Sequence, residues 1–316
     1  MPYFEGNGAT VFHGDFRPLL ARRPRSSVDA IVTSPPYADQ RKYEGGSEER
    51  RTERANRNGR KPGAKNQSRR QRSEAPMRFA EEFISTALPV MYEALTDTGS
   101  LMLNLGVVFR DGEESPYADA ILAAARELGF KLLHRIIWHK PNGNTLSDPR
   151  FLRVAHEWVF WLAKSVDAYR GYDQETRTPH TASTLRRISR PYKRDAEDER
   201  YEKRSANHPL HPEGARPTTI FECGVGGEPG VKHPAIMPLK VARHLVALSA
   251  PAGAVVLDPY AGSGTSGVAA IQLGRQFIGY EQEAGYLPEC QERLEAAHLS
   301  PTVAAEQLAL EGIELL

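Results

Sequence analysis

Short apolar segments rich in β-branched residues alternate along the chain with segments of helical period. The apolar segments predict seven strands, at residues 10–13, 29–33, 99–105, 131–138, 157–163, 254–257 and 276–280. The helical pattern predicts helices at residues 78–95, 117–128, 238–249, 266–273 and 284–298. Gly99 and Gly129 are expected at helix C-caps, where glycine is favoured. Strands that alternate with helices are typical of an α/β fold with a mostly parallel sheet.

Two segments interrupt this alternation. Residues 41–72 carry twelve Lys and Arg against four Glu, a net charge of +8, and almost no apolar side chains. Residues 171–230 are rich in charge, Pro and His and show little periodicity. The first segment is expected to be a long basic loop and the second an inserted region, because compact domains seldom contain such long irregular stretches without a function.

The whole chain of 316 residues is nearly neutral, with 41 Lys and Arg against 40 Asp and Glu. This balance excludes a uniformly basic protein but leaves nucleic-acid binding through a local basic segment open. The two cysteines, Cys223 and Cys290, stand alone, so neither a structural zinc site nor a disulfide framework is expected. No apolar run is long enough to span a membrane and the amino terminus lacks a secretory signal, so a soluble cytoplasmic protein is expected.

A glycine-rich turn follows the predicted strand at residues 254–257. Gly262, Gly264 and Gly267 match the pattern G-x-G-x-x-G, and Glu281 follows nineteen residues after Gly262, at the end of the next predicted strand. Glycines at these spacings let a ligand approach the backbone, and an acid at this distance can bind a ribose diol. Two ligands fit the pattern at this point: NAD, whose pyrophosphate faces a helix N-terminus, and S-adenosyl-L-methionine (SAM).

The predicted strand at residues 29–33 ends in Thr33-Ser34-Pro35-Pro36-Tyr37. The two prolines remove backbone donors and restrict the preceding residues to extended conformations, so a rigid bend is expected. In an open α/β sheet such a strand end is where ligands bind. Free carbonyls, a hydroxyl and an aromatic ring suit a planar base that carries an exocyclic amino group.

These two motifs resemble those of the SAM-dependent DNA methyltransferases that modify exocyclic amino groups. Residues 33–37 resemble the catalytic motif, in the serine form of the N4-cytosine enzymes. Residues 258–264 resemble the SAM motif, with Tyr260 where phenylalanine is usual. The order of the motifs resembles the permuted class called beta, and the resemblance covers most of residues 10–170 and 231–298.

The resemblance implies a Rossmann-like α/β fold, circularly permuted, with a seven-stranded, mostly parallel sheet in the order 3-2-1-4-5-7-6. The seven predicted strands are then family strands 3, 4, 5, 6, 7, 1 and 2. Residues 1–170, with the basic loop at 41–76, form the catalytic part, and residues 231–316 form the SAM-binding part of the same domain. Residues 171–230 are the inserted DNA-recognition region. Family strands 1 and 4 would open on one crevice.

Individual site residues also follow from the resemblance and from the basic segments. The expected catalytic residues are Ser34, Pro35, Pro36 and Tyr37. The expected SAM-binding residues are Asp15, Thr33, Lys232, Pro234, Asp258, Tyr260, Gly262, Gly264, Thr265 and Glu281. The basic residues expected to contact DNA are Arg41, Lys42, Arg50, Arg51, Arg54, Arg57, Arg186, Arg187, Lys193 and Arg194. No metal site is expected.

The implied activity is site-specific methyl transfer from SAM to the N4 amino group of a cytosine flipped out of double-stranded DNA, in a restriction–modification, orphan or phage setting. A cytosine-C5 enzyme is disfavoured because it needs a cysteine nucleophile after a proline, and glutamates precede both cysteines here. A cognate restriction endonuclease stays open as a second partner, as does the choice between monomer and homodimer.

Four other interpretations stay open. One is an adenine N6-methyltransferase on the same scaffold, and another is methylation of RNA or protein by a related enzyme. A third is a SAM-responsive DNA-binding protein without catalysis. The fourth is an NAD-dependent dehydrogenase, which leaves the motif at residues 33–37 unexplained.

Overall fold

Apolar strands, buried on both faces, form the centre of the molecule. The computed structural model describes residues 1–36, 65–142, 152–171, 176–189, 211–226 and 236–298. The strands in these ranges are β1 (Phe4–Gly6), β2 (Ala9–His13), β3 (Val28–Thr33), β4 (Leu95–Gly106), β5 (Phe109–Arg110), β6 (Glu113–Glu114), β7 (Lys131–His139), β8 (His156–Ala163), β9 (Ile220–Glu222), β10 (Val255–Asp258) and β11 (Gln276–Glu281). The helices are α1 (Phe16–Leu20), α2 (Lys65–Glu82), α3 (Leu88–Ala94), α4 (Tyr117–Leu128), α5 (Ala182–Ser189), α6 (Leu239–Ser249), α7 (Thr265–Gln272) and α8 (Leu287–Glu295).

The main sheet has the strand order β1-β2-β11-β10-β3-β4-β8-β7-β9. All seven predicted strands are present, and from β2 to β7 their order is the predicted 3-2-1-4-5-7-6. Neighbouring strands from β2 to β4 are parallel, whereas β8 is antiparallel to both β4 and β7. The predicted permuted α/β fold is therefore confirmed, with β1 and β9 as additional edge strands.

Helices cover both faces of this sheet, because successive side chains of a strand point to opposite faces. Ala30 and Val32 of β3 belong to a core with residues of α6, α7 and α8. Val28 and Ile31 belong to a second core with residues of α1, α3 and α4. The result is a three-layer α/β/α arrangement in which the strand ends, and not the faces, remain open to a ligand.

Gly99 does not end a helix, contrary to the prediction. Helix α3 ends at Ala94, and Leu95 already has the extended ψ of 140°. The pairing of β4 with β3 is irregular between Leu95 and Ser100, and a Cβ on Gly99 would lie 3.0 Å from the Thr96 carbonyl oxygen. Glycine is therefore favoured here by close packing at an irregular position of a strand. Gly129 does end α4, with a left-handed φ of 116°.

The prediction of a basic loop at residues 41–76 is wrong for residues 65–76, and its earlier part lies outside the described residues. Residues 65–76 belong to α2, where Lys, Arg, Gln and Glu have good helix propensity. A π-helical turn at Phe83–Ala87 joins α2 to α3, so the helix predicted at 78–95 is the end of a longer helical segment. The helix predicted at 284–298 divides into a 3₁₀ turn, Ala284–Tyr286, and α8.

The region predicted as an insertion, residues 171–230, contributes to the main sheet. Its strand β9 pairs in parallel with β7, with Ile220 opposite Ile137. The end of this region is thus fixed to the sheet edge beside β7. No helix within the described ranges is long and apolar enough to cross a membrane.

Candidate active site

The carboxyl ends of β10 and β3 lie side by side at the centre of the sheet. The strands are parallel neighbours, with Leu257 opposite Ile31. Beyond this pair, Thr33 Oγ1 donates a hydrogen bond to Asp258 Oδ1 at 2.7 Å. The glycine turn after Asp258 and the Ser-Pro-Pro bend after Thr33 therefore share one edge of the sheet, which is where open α/β sheets bind ligands.

The glycine turn has a backbone that side-chain-bearing residues rarely adopt. Gly262 and Gly264 have left-handed φ values of 52° and 79°. Gly264 is also the N-cap of α7 and supplies no capping side chain. A Cβ on Gly267 would lie 2.6 Å from atoms of Leu294 and Phe277, so this glycine is needed for close helix packing. The uncapped amino end of α7 suits a negatively charged ligand group.

Glu281 is bonded directly to the glycine turn. The Gly262 N–H donates to Glu281 Oε2 at 2.7 Å, and the Glu283 N–H donates to Oε1 at 2.7 Å. Burial raises the pKa of the Glu281 carboxyl, although these two hydrogen bonds oppose the shift. Each carboxylate oxygen keeps a further lone pair, so the group can still accept hydrogen bonds from ligand hydroxyls.

Asp258 holds three elements together. Besides Thr33, its carboxylate accepts hydrogen bonds from Ser266 Oγ at 2.5 Å and from the Tyr260 N–H at 3.0 Å. Burial raises the pKa of the Asp258 carboxyl, and the three hydrogen bonds oppose that effect. The side chain links β10, β3 and α7, and so fixes the two halves of the crevice relative to each other.

Asp15 lies next to the strand end that carries Glu281. The Gly14 N–H donates to the Glu281 carbonyl oxygen at 2.9 Å. The Asp15 carboxylate caps α1 by accepting the Arg17 N–H at 2.9 Å, and it also pairs with the Arg17 guanidinium at 2.8 Å. The side-chain hydrogen bond from Arg17 lowers the pKa of Asp15. Its carboxylate thus already has a structural role at this edge.

Tyr260 and Thr265 are held by contacts that sequence motifs do not reveal. The Tyr260 ring packs edge-to-face on Phe16 with centroids 5.0 Å apart, and burial raises the pKa of its phenol. Thr265 Oγ1 accepts a hydrogen bond from Arg293 Nη1 at 2.9 Å. The same Arg293 nitrogen donates to the Ser263 carbonyl oxygen at 2.7 Å. One arginine of α8 therefore stabilises the glycine turn.

The serine bend is held by side chains. Asn104 Nδ2 donates to Ser34 Oγ at 3.2 Å and to Glu157 Oε2 at 2.7 Å. The Lys140 ammonium donates to the other oxygen of Glu157. Pro35 is buried, whereas Ser34 and Pro36 are half-buried at the crevice. A continuous polar network therefore runs from the bend across β4, β8 and the end of β7.

The sequence motifs assign no role to Asn104 or Arg293. The available signal is a polar residue within an apolar strand, since Asn104 stands in Leu-Met-Leu-Asn-Leu. Buried polar groups are costly unless they are hydrogen-bonded, so such a residue indicates a partner elsewhere in the chain. The pattern cannot say which partner.

The remaining predicted site residues lie mostly outside the described ranges. These are Tyr37, Arg41, Lys42, Arg50, Arg51, Arg54, Arg57, Lys193, Arg194, Lys232, Pro234 and the side chain of Arg187. Arg186 is exposed on α5. Within the described ranges no three His, Cys, Asp or Glu side chains are grouped as metal ligands would be.

Comparisons with known proteins identify the family of the chain. A family model described as DNA methylase, for the N6 and N4 enzymes, matches residues 28–292. The chain is 27% identical over 323 residues to the type II methyltransferase M.Cfr9I of Citrobacter freundii, covering 92% of this chain and 89% of that protein. It is 24% identical over 307 residues to the type II methyltransferase M.ScaI of Streptomyces caespitosus, covering 93% and 84%.

Solved structures show the same fold. The PvuII DNA methyltransferase, described as cytosine-N4-specific, superposes with a TM-score of 0.64 at 19% identity, covering 98% of this chain and 92% of that one. The M1.HpyAVI–SAM complex gives a TM-score of 0.54 at 19% identity, covering 90% and 98%.

Proposed function

Because the chain belongs to the N6/N4 DNA methylase family, we propose that it transfers a methyl group from SAM to the N4 amino group of a cytosine in double-stranded DNA. The family match makes the protein a DNA amino-methyltransferase, and the choice of base and the residue roles are our proposal. The observation that carries it is the 2.7 Å hydrogen bond between Thr33 and Asp258, which joins the serine bend to the glycine turn.

The side of the crevice that contains the glycine turn and Glu281, here called the glycine side, fits SAM. The carboxylate group of SAM suits the uncapped amino end of α7, which begins after Gly264. Its ribose hydroxyls suit the Glu281 carboxylate, whose two backbone donors orient it toward the turn. Asp15, Thr33 and Tyr260 line the same edge and would complete the site. When bound, SAM supplies a methyl carbon made electrophilic by the attached sulfonium.

The side of the crevice that contains the Ser-Pro-Pro bend, here called the serine side, fits an exocyclic amine. The amino nitrogen of cytosine is a weak nucleophile, because its lone pair is delocalised into the ring. We assign Ser34 Oγ and the Pro35 carbonyl oxygen as acceptors for the two amino hydrogens of a flipped base, which localises that lone pair toward the crevice. Tyr37 would stack on the ring. A new N–C bond then forms as the S–C bond breaks, and the extra amino proton leaves to solvent.

Positioning accounts for such a reaction without a covalent enzyme intermediate. Correct orientation can supply ~7–11 kcal/mol of the barrier in oriented intramolecular reactions. The cysteines are unsuited to a nucleophilic role, since Cys290 is buried and burial raises the pKa of its thiol to about 12. Cys223 packs against the hydrophobic core, and burial raises the pKa of its thiol too.

The serine in the bend supports cytosine, since the resemblance of residues 33–37 is to the N4-cytosine form of the motif. The PvuII structure with the same fold is described as cytosine-N4-specific. Relatives named as type II methyltransferases support a modification role beside a cognate restriction endonuclease.

Basic residues at positions 41–57, with Arg186, Arg187, Lys193 and Arg194, are our candidates for phosphate contacts. Replacing Arg50, Arg51, Arg54 and Arg57 with Gln should weaken DNA binding and reduce the slope of log K against log salt by about 0.9 for each lost phosphate contact. An unchanged slope would remove this segment from the DNA interface.

Mass spectrometry of nucleosides from DNA methylated by the purified protein tests the proposed activity. N4-methylcytosine is the expected product, and single-molecule sequencing of the same DNA would give its sequence context. N6-methyladenine alone would reassign the base. SAM-dependent DNA binding without any methylated base would replace the enzyme with a SAM-responsive DNA-binding protein.

A further inference from the structure

The Ser34 side of the crevice rests on a buried amide. Asn104 is 1% exposed and Glu157 is 9% exposed. The single nitrogen Nδ2 of Asn104 donates to both Ser34 Oγ and Glu157 Oε2, at 3.2 and 2.7 Å. An amide nitrogen carries two hydrogens, so both bonds can form at once.

Glu157 determines which way this amide points. An ionised carboxylate only accepts hydrogen bonds, so it selects the nitrogen of Asn104 and not the oxygen. Lys140 holds this carboxylate in place, because its ammonium bonds the second carboxylate oxygen and both side chains are largely buried. The ammonium also lies over the Trp138 ring, 4.4 Å from the centroid, which fixes its position.

The amide in turn determines how the Ser34 hydroxyl can act. A hydroxyl has two acceptor lone pairs and one hydrogen. Because Asn104 donates to one lone pair, the second lone pair and the hydrogen of Ser34 are directed elsewhere. In the proposed reaction the second lone pair is the one that receives an amino hydrogen of the target base.

We propose that Asn104 is a positioning residue for Ser34, oriented by the Glu157–Lys140 pair. The inference rests on the proposed function, since it assumes that Ser34 receives the target amine. A network that served only to stabilise the sheet would affect unfolding and leave the chemistry of Ser34 unchanged. The two roles therefore differ in measurable ways.

A double-mutant cycle tests this role. Asn104→Asp keeps the shape of the side chain but replaces the donor with an acceptor, so kcat in single-turnover methyl transfer should fall about 10²-fold, as for a misplaced reacting group. The KM for SAM should stay the same. In a Ser34→Ala background the same substitution should change the rate by less than about twofold, because the group through which Asn104 acts is gone.

Glu157→Gln is a second, milder variant in case Asn104→Asp unfolds. It weakens the pair with Lys140 and allows the Asn104 amide to flip, so a several-fold loss of kcat is expected, which again disappears in the Ser34→Ala background. Asn7→Asp is the matched control: Asn7 Nδ2 donates to the Leu294 and Ala297 carbonyls at 2.8 and 2.7 Å, and neither partner belongs to the network of Ser34, Asn104 and Glu157. It should lower the unfolding temperature and leave kcat unchanged.

Equal losses from Asn104→Asp in the two backgrounds, or no loss in either, would overturn the inference. Inactivation by Ser34→Ala together with full activity of Asn104→Asp would reject the positioning role alone. Full activity of Ser34→Ala would reject the proposed placement of the target amine, on which the inference depends.

Discussion

The two sides of the crevice are built from different parts of the polypeptide. On the glycine side the main bonds come from backbone N–H groups, as between Gly262 or Glu283 and the Glu281 carboxylate. On the serine side they come from side chains, as in the network of Ser34, Asn104 and Glu157. The hydrogen bonds between the glycine turn and Glu281 lie within residues 258–283, whereas the serine side draws its side chains from strands far apart in the chain.

The two sides should respond differently to substitution. A site made from backbone groups depends on whether the chain can adopt its conformation, so changes there act on stability and on cofactor binding together. A site made from side chains depends on donor and acceptor identity, so isosteric changes can remove catalysis while the fold persists. Substitutions on the two sides should therefore separate these effects.

Ser34→Ala should have the largest effect on catalysis. Loss of one positioned hydrogen-bonding group at a reacting centre typically lowers kcat about 10²- to 10³-fold, and here SAM affinity and unfolding temperature should not change. Ser27→Ala is a matched control, because the Ser27 hydroxyl is buried and has no hydrogen-bond partner among the described residues. Single-turnover rates and calorimetric SAM binding give the measurement. A parallel loss of SAM binding in Ser34→Ala would contradict the separation of the two sides.

Gly264→Ala should mainly lower stability and SAM affinity, in contrast to Ser34→Ala, which should mainly lower kcat. The residue has φ 79°, and its Cβ would lie 2.8 Å from Cys290 Sγ. Left-handed strain and overpacking together should lower the free energy of unfolding by about 2–3 kcal/mol and weaken SAM binding.

Gly253→Ala separates the two causes of this effect. Gly253 has a similar φ of 75°, but a Cβ there meets no atom within 4 Å. Backbone strain alone should then lower the free energy of unfolding, measured by urea denaturation, by about 1–2 kcal/mol. SAM binding should stay unchanged. Equal losses for the two glycines would show that the close packing against Cys290 contributes nothing.

Arg293→Met should have an intermediate effect on the glycine side. It removes the guanidinium that bonds Ser263 and Thr265, and hydrogen bonds to charged groups are typically worth about 1.5–3 kcal/mol. Part of that energy should appear as a lower unfolding free energy and part as weaker SAM binding. Arg243→Met, which removes a bond to Gln272 at 2.8 Å, is the control with unchanged SAM binding.

Asp258→Asn should have an effect on stability that depends on pH. Burial raises the pKa of this carboxyl above 3.8, so the folded state binds its proton more tightly than the unfolded chain. Its contribution to stability is therefore present at low pH and is lost as pH rises through the folded pKa. The unfolding temperature of the unmodified protein should fall relative to that of Asp258→Asn as the pH rises from about 4 through the pKa of the folded carboxyl. If the unfolding temperature of the unmodified protein instead rose relative to that of Asp258→Asn over this pH range, the pKa of Asp258 would not be raised.

The same contrast explains what could be predicted from sequence. The glycine pattern, Glu281 and the strand order lie in local spacing and chain order, and the predicted sheet order is confirmed. Asn104 and Arg293 were not identified, because their partners come from other elements and only packing brings them together. The prediction for Gly99 is wrong because a glycine that follows a helical pattern is compatible both with a helix end and with a position inside the next strand, and the sequence does not distinguish the two. The predicted roles of Ser34 and of the basic residues stay predictions.

A crystal structure with S-adenosylhomocysteine, the product left after methyl transfer, would show whether the two motifs share one crevice. We expect its carboxylate at the amino end of α7, its ribose hydroxyls on Glu281 and its sulfur facing Ser34 across the crevice. A ligand bound elsewhere, or one whose sulfur points away from the end of β3, would show that the glycine turn and the serine bend do not act on one substrate pair.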